Sequence, residues 1–338
     1  MDSRLEALKA WVGEELKLDN SRVEPASADA SFRRYFRVRQ PACDLIVMDA
    51  PPDKENLQAF LHVAQMLLDV GVNVPRVLAR DLTRGFLLLS DLGSKQYLDS
   101  LNAGVGVDAL YQDALDSLLR MHLLGREPAR RLPAYDVAML DREMALMPEW
   151  FLARHLGLAI SGQDRKMLDA LFDGLVRNAD AQPATFVHRD YHSRNLMVCE
   201  PGRPGILDFQ DAVMGPITYD LVSLLKDCYI AWPAAQVRTR ALQFRAMLLN
   251  AGVAAGEDDA EFLRWFDLMG LQRHIKVLGI FARLWYRDGK RGYLADLPLV
   301  LRYVRETADA YPQTAAFAKF IRTRVDPLFG PAQARESA

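Results

Sequence analysis

Apolar residues recur at two different spacings along this chain, and the change of spacing divides it. Leu5, Leu8, Trp11, Val12 and Leu16 fall at helical spacing among Arg4, Glu6, Lys9, Glu14 and Glu15, which predicts an amphipathic opening helix. Residues 21–50 read instead as strands: Phe32, Tyr35, Phe36 and Val38 lie near a polar turn, and Leu45-Ile46-Val47-Met48 forms an apolar run. Pro51-Pro52 stops that run, because proline has no ladder donor. A helix from about Asn56 to Val70 follows, with Leu57, Phe60, Leu61, Ala64, Leu67 and Leu68 on one face and Gly71 ending it. A short strand near Arg76–Ala79 and a stronger one over Gly85–Leu89 complete this region.

Beyond Ser90 helical patterns dominate, at about 108–125, 138–156, 163–178, 216–229, 234–251, 258–287 and 294–309, broken by one β-like island at 185–210. The pattern predicts an α+β fold, with a small sheet-plus-helix N-lobe over 1–90 and a large, mainly helical C-lobe over 91–338. No internal repeat or low-complexity linker interrupts it, and only Pro331–Ala338 reads as frayed.

Composition narrows the class. Half the residues are hydrophobic and a quarter charged, as in an ordinary soluble protein. The net charge of −2 leaves no electrostatic footprint for nucleic acid. No apolar stretch approaches the roughly 18 residues needed to span a membrane, and the N-terminus has no signal-like apolar core. Cys43, Cys199 and Cys228 have neither disulfide-framework nor zinc spacing. A cytoplasmic protein with reduced thiols and no membrane partner is expected, of unspecified oligomeric state.

The chemistry gathers in the island. Two short apolar strands, Leu196–Cys199 and Gly205–Leu207, flank a turn containing Pro201, Gly202 and Pro204 and read as a hairpin. That hairpin brings Asn195 and Asp208 to one end, with Asp190 on the preceding loop. A carboxylate and an amide oxygen suit Mg²⁺ held against phosphates, and a second carboxylate can orient an attacking hydroxyl and accept its proton. Asp190 fits the base and Asn195 and Asp208 the metal; their hard oxygen ligands favour Mg²⁺ over zinc. A metal-hydrolase reading of His188, Asp190 and His192 would need further ligands, and His62, His122, His155 and His274 form no cluster in sequence.

Here the chain resembles a known family. His188-Arg189-Asp190 with Asn195 five residues on matches the kinase catalytic loop, and Asp208-Phe209-Gln210 resembles its metal-binding segment, with glutamine in place of glycine. Gly215-Pro216 with Tyr219-Asp220-Leu221 is similar to a segment of the aminoglycoside and choline phosphotransferases. The resemblance implies a two-lobed, protein-kinase-like fold, ATP and Mg²⁺ as cofactors, and a small-molecule hydroxyl as acceptor. It also implies that His188 and Asp220 support the catalytic loop.

The resemblance continues over most of the chain, with one departure. Ser31, Phe32, Arg33 and Arg34 occupy the position of the phosphate-covering hairpin, without its glycines, and Ser90 and Leu92 that of the adenine-binding hinge. The third strand carries Met48 or Asp49 where kinases carry the phosphate-pairing lysine, and the next helix offers only Glu55, at its start. The lysine–glutamate pair is therefore missing or replaced by an arginine of the hairpin. Segments around Ser31–Arg37, Val47–Pro52, Pro148–Phe151 and Gln272–Gly279 are similar to bacterial cell-wall amino-sugar kinases. These phosphorylate the anomeric hydroxyl of N-acetylmuramate and N-acetylglucosamine in peptidoglycan recycling. On that likeness Glu149, Trp150 and Arg273 are candidate sugar contacts, and Arg273, Lys276, Arg283 and Arg287 share one helical quadrant. Packing of Trp150 in the core and solvation of the basic stripe stay open. So do a kinase of an aminoglycoside or another small alcohol, and a non-catalytic pseudokinase binding module.

Overall fold

Five short strands supply the frame of the first of two units. The computed structural model describes residues 2–19, 22–28, 32–199 and 202–337. The chain divides into Met1–Met121 with Arg194–Ala212, and His122–Ser193 with Val213–Ala338. This grouping reflects compactness alone; the division at residue 90 concerns roles.

In the first unit β1 (Val23–Ala28), β2 (Arg34–Val38), β3 (Leu45–Asp49), β4 (Val77–Asp81) and β5 (Phe86–Ser90) form an antiparallel sheet in the order β1-β2-β3-β5-β4. Alternation sends Phe36, Val38, Val47, Phe86 and Leu88 to one face, where they pack with Leu8, Trp11 and Val12 of the opening helical segment. That segment is α1 (Ser3–Ala10), continued by a π-helical turn over Trp11–Glu15. Arg34 and Asp49 belong to the same face by parity. Asp49 is fully buried there, paired with Arg4 and, at 2.5 Å, with Arg34. Asn56 caps α2 (Leu57–Asp69), its side chain accepting from the backbone N–H groups of Gln58 and Ala59.

The second unit is organised by the 28-residue helix Asp259–Tyr286. It is buried on all sides from Leu268 to Gly279, so Gln272, Arg273, His274 and Lys276 lie within packed protein instead of on a solvated face. Gly279 permits the closest approach: a Cβ there would sit 2.3 Å from the carbonyl carbon of Leu146, just before the π-helical segment Met147–His155. Helices Gly162–Asp180, Tyr219–Leu225, Ala234–Asn250 and Leu297–Ala310 agree with the sequence pattern within a few residues, while the helix expected over 138–156 runs as Val137–Met144 followed by the π-helical Met147–His155. Two further elements differ from expectation. Residues 213–216 form a strand outside the expected island, and the helix expected from 216 starts only at Tyr219, because these residues pair with Ala184–Val187. Residues Asp326–Ser337 are helical through Pro331 and not frayed, since Phe329 and Ala332 are buried and Phe329 meets Phe151 at 6.1 Å. Ala338 lies outside the described residues. Among those described, no helix is long and apolar enough to cross a membrane.

Candidate active site

The strand Ala184–Val187 (β6) ends at His188 and runs into the loop that carries Asp190. Its partner β9 (Val213–Pro216) leads into the helix Tyr219–Leu225, which places Asp220 beneath that loop. The backbone N–H of His188 donates to Asp220 Oδ2 at 2.6 Å and that of Arg189 to Oδ1 at 3.0 Å. Arg189 adopts φ +77°, a left-handed turn that those two bonds hold against its steric cost. Burial raises the Asp220 carboxyl to about 7, with the Asp190 charge adding to the rise and the two backbone donors opposing it. Farther along, the backbone N–H of Ser193 donates to Asp227 at 2.9 Å.

A second buried carboxylate stands behind the loop. Glu143 pairs with Arg189, with Lys276 at 3.0 Å, and with the Tyr135 hydroxyl, which also accepts from Gln272 at 3.1 Å. Lys276 in turn donates to the Tyr219 hydroxyl at 3.0 Å. Burial alone would raise the carboxyls of Glu143 and Asp190. Lys276 and Arg189 instead hold Glu143 below the usual carboxylate range, and Lys276, His192, Arg189 and Arg273 do the same for Asp190. Asp190 is thus an ionised, half-buried carboxylate in a field of fixed cations. It suits orienting a hydroxyl and receiving its proton as negative charge builds.

In the first unit β7 (Leu196–Met197) pairs with β8 (Gly205–Ile206), and Leu207 N–H returns to the Asn195 carbonyl at 2.9 Å. The hairpin is shorter than expected but still sets Asn195 beside Asp208, with Asn195 Nδ2 3.5 Å from Asp208 Oδ2. Asp208 takes φ +62°, and Phe209 next to it is buried against Phe60 of α2 at 4.9 Å. Gln210, which stands at the usual glycine position, donates to Asp208 Oδ1 at 2.8 Å. No group of three or more His, Cys, Asp or Glu among the described residues could hold a metal on its own. One carboxylate and one amide fit Mg²⁺, which keeps several waters and takes further oxygens from phosphates.

The other expected contacts divide. Arg33 is buried and reaches both Glu55 and Asp208. Arg34 faces the other way and is committed to Asp49 and Asp2. Phe32 is exposed beside Lys54, while Ser31 lies outside the described residues. Ser90 pairs with the backbone of Arg76, and the Leu92 carbonyl accepts from the Cys199 thiol at 3.4 Å. Glu149 is exposed and Trp150 half-buried. Arg273 is buried and donates to Cys228 Sγ at 3.2 Å, while its Nε has no hydrogen-bond partner. Sequence reasoning missed Glu143 and the place of Lys276 in its network. Local sequence carried little signal for it, because Gln272, Arg273, His274 and Lys276 read together as a polar stretch of a helix.

Comparison with known proteins bears on these features. A family model described as the phosphotransferase enzyme family matches residues 22–263. The chain is 44% identical over 330 residues to the N-acetylmuramate/N-acetylglucosamine kinase of Pseudomonas aeruginosa, covering 95% of this chain and 96% of that protein. Its backbone is similar to an ADP-bound aminoglycoside phosphotransferase, with a TM-score of 0.59 and 12% identity over 91% of this chain and 99% of the other. It is likewise similar to Plasmodium vivax ethanolamine kinase, with a TM-score of 0.61 and 11% identity over 84% and 83%. The α+β fold is the protein-kinase-like one that these phosphotransferases share.

Proposed function

Since this chain belongs to the phosphotransferase enzyme family, we propose that it transfers the γ-phosphoryl group of ATP to the anomeric hydroxyl of N-acetylmuramate and N-acetylglucosamine. The carrying observation is near full-length identity of 44% to a kinase named for those two sugars. In this reading residues 1–90 serve the nucleotide and 91–338 the catalysis and the acceptor, in the cytoplasm, where ATP is available.

Asp190 receives the hydrogen bond of the acceptor hydroxyl and takes its proton as the new oxygen–phosphorus bond forms and ADP leaves. The cations around it keep it ionised for that purpose. Asp220 positions the loop through the two backbone donors. Asn195 and Asp208 would hold Mg²⁺, which when bound offsets the charge of the phosphates. Phe32, Arg33, Ser90 and Leu92 are the nucleotide-side residues of this reading. Glu149, Trp150 and Arg273 are the sugar-side ones. The unpartnered Nε of buried Arg273 is consistent with binding a carboxylate such as that of N-acetylmuramate.

The test is ADP release from MgATP with N-acetylmuramate, N-acetylglucosamine, kanamycin, choline or no acceptor. Stimulation by the two amino sugars is expected. In the Asp190→Asn variant turnover should fall by about 10²–10⁴-fold while ATP still binds. Stimulation by kanamycin or choline alone would replace the substrate assignment, and near-normal turnover of the variant would remove Asp190 as the base.

A further inference from the structure

The third strand of the sheet offers no cation to a nucleotide. Met48 is apolar and fully buried, and Asp49, on the opposite face, is held by Arg4 and Arg34. We propose that Arg33, gripped by Glu55, takes the role of the strand lysine and contacts the phosphates of the nucleotide. The proposal rests on reading the chain as an ATP-dependent phosphotransferase.

Register and alternation supply the first argument. Tyr35 pairs with Met48 across β2 and β3, so the two share a face, and Arg33, two residues before Tyr35, has the same parity. The guanidinium therefore belongs to the face on which a kinase would carry its lysine at the Met48 position. Arg34, one residue on, has the opposite parity and is found on the opposite side with Asp49.

Contacts supply the second. Arg33 is 8% exposed, with Nε 3.4 Å from Glu55 Oε2 and Nη2 3.5 Å from Asp208 Oδ1. The other oxygen of Glu55 accepts from the backbone N–H of Phe32 at 3.1 Å. One carboxylate thus holds both the side chain of Arg33 and the backbone just before it. That reproduces the pairing of a lysine with a helix glutamate, using a glutamate immediately ahead of the α2 cap, Asn56. Both ion-pair distances exceed the roughly 2.7–2.9 Å of a tight charge-assisted bond. The guanidinium is therefore aimed at Asp208 without being locked to it, and an arriving phosphate oxygen can compete for its N–H groups. A buried guanidinium–carboxylate pairing adds little to folding stability. A planar fork suited to two phosphate oxygens gives the arrangement a use.

The rival is a purely structural tie between the hairpin and α2. Calorimetric titration of wild type, Arg33→Gln, Arg33→Lys and Glu55→Gln with MgATP and with adenosine separates the two. Arg33→Gln should weaken MgATP by about 10- to 100-fold and leave adenosine within about twofold, because only the triphosphate loses a charged hydrogen bond. Arg33→Lys, which keeps the charge without the fork, should fall between, as should Glu55→Gln. MgATP affinity within about twofold of wild type in folded Arg33→Gln, or equal losses for MgATP and adenosine, would overturn the proposal. Should Arg33→Gln fail to fold, unchanged MgATP affinity in both folded Arg33→Lys and Glu55→Gln would overturn it equally. A wild type that binds MgATP but phosphorylates no amino sugar sinks the substrate assignment alone. A wild type that does not bind MgATP sinks both.

Discussion

Two carboxylates, Asp208 in the first unit and Asp190 in the second, are held in opposite ways. Asp208 is 32% exposed, with Gln210 donating at 2.8 Å and Arg33 and Asn195 each at 3.5 Å. Two of these are neutral amides and Arg33 stands off at 3.5 Å, so the carboxylate can exchange protein donors for a metal. Asp190 is half-buried, and its ionisation is set by Lys276, Arg189 and Arg273, which the long helix and the Glu143 network hold in place. A metal ligand must change partners during a catalytic cycle, whereas a base must meet each acceptor in one charge state. On the roles proposed for Asp208 and Asp190, the difference in packing follows that difference in duty.

The sharpest way to break this comparison is Asp208→Asn. In a partly exposed site it should lower turnover on the order of 10³-fold while shifting unfolding free energy by no more than about 1 kcal/mol. A large loss of stability, seen in denaturant titration, would mean that Asp208 is as structural as the carboxylates of the second unit.

Glu143→Gln should behave conversely. Removing one partner from a buried pair strands the others, here Lys276 and Arg189, at a cost of about 3–5 kcal/mol. Loss of less than about 1 kcal/mol would show that water reaches the network.

Asp220→Asn should cost less stability than Glu143→Gln, about 1–3 kcal/mol, because an amide nitrogen in place of one carboxylate oxygen would face a backbone N–H. Its pH dependence sharpens the comparison. The folded carboxyl is raised to about 7, above its ordinary value of 3.8, so the native state binds more protons than the unfolded chain between those values. Asp220's contribution is therefore fully present below pH 3.8, declines as pH rises, and is gone above about 7. Buried His122, lowered to about 3, works in the other direction, contributing above its ordinary 6.5 and losing that contribution as pH falls. The stability gap between wild type and Asp220→Asn cancels the histidine term. That gap should narrow between pH 5 and 8 in denaturant melts, and a gap that widens would contradict the raised carboxyl.

Much of this was legible in the residues. The residues proposed as catalytic loop, metal pair and bracing aspartate lie within about thirty residues of sequence, and short hairpins and turns order each stretch with little help from the rest of the chain. Asn195 and Asp208 meet because two paired residues on each strand suffice to align them. The strand at 213–216 was not legible, because Val-Met-Gly-Pro has little pattern of its own and becomes extended by pairing with β6. The same holds for the C-terminal helix, where burial of Phe329 and Ala332 prevails over a proline and a run of weak formers.

By itself, then, the sequence determined the class of fold and pointed to the residues proposed to react. Hydrophobic period, turn chemistry and a compact motif are local properties, and short-range geometry is enough to express them. Only the tertiary structure decided which cations serve which carboxylates. Arg33 and Arg34 are adjacent and alike in sequence, yet strand parity sends one to Glu55 and Asp208 and the other to Asp49. Lys276 reads as part of a basic stripe until packing buries it beside Glu143, 133 residues away (276 − 143). Electrostatic partnership depends on distance and burial, and both come from long-range packing that no local pattern records.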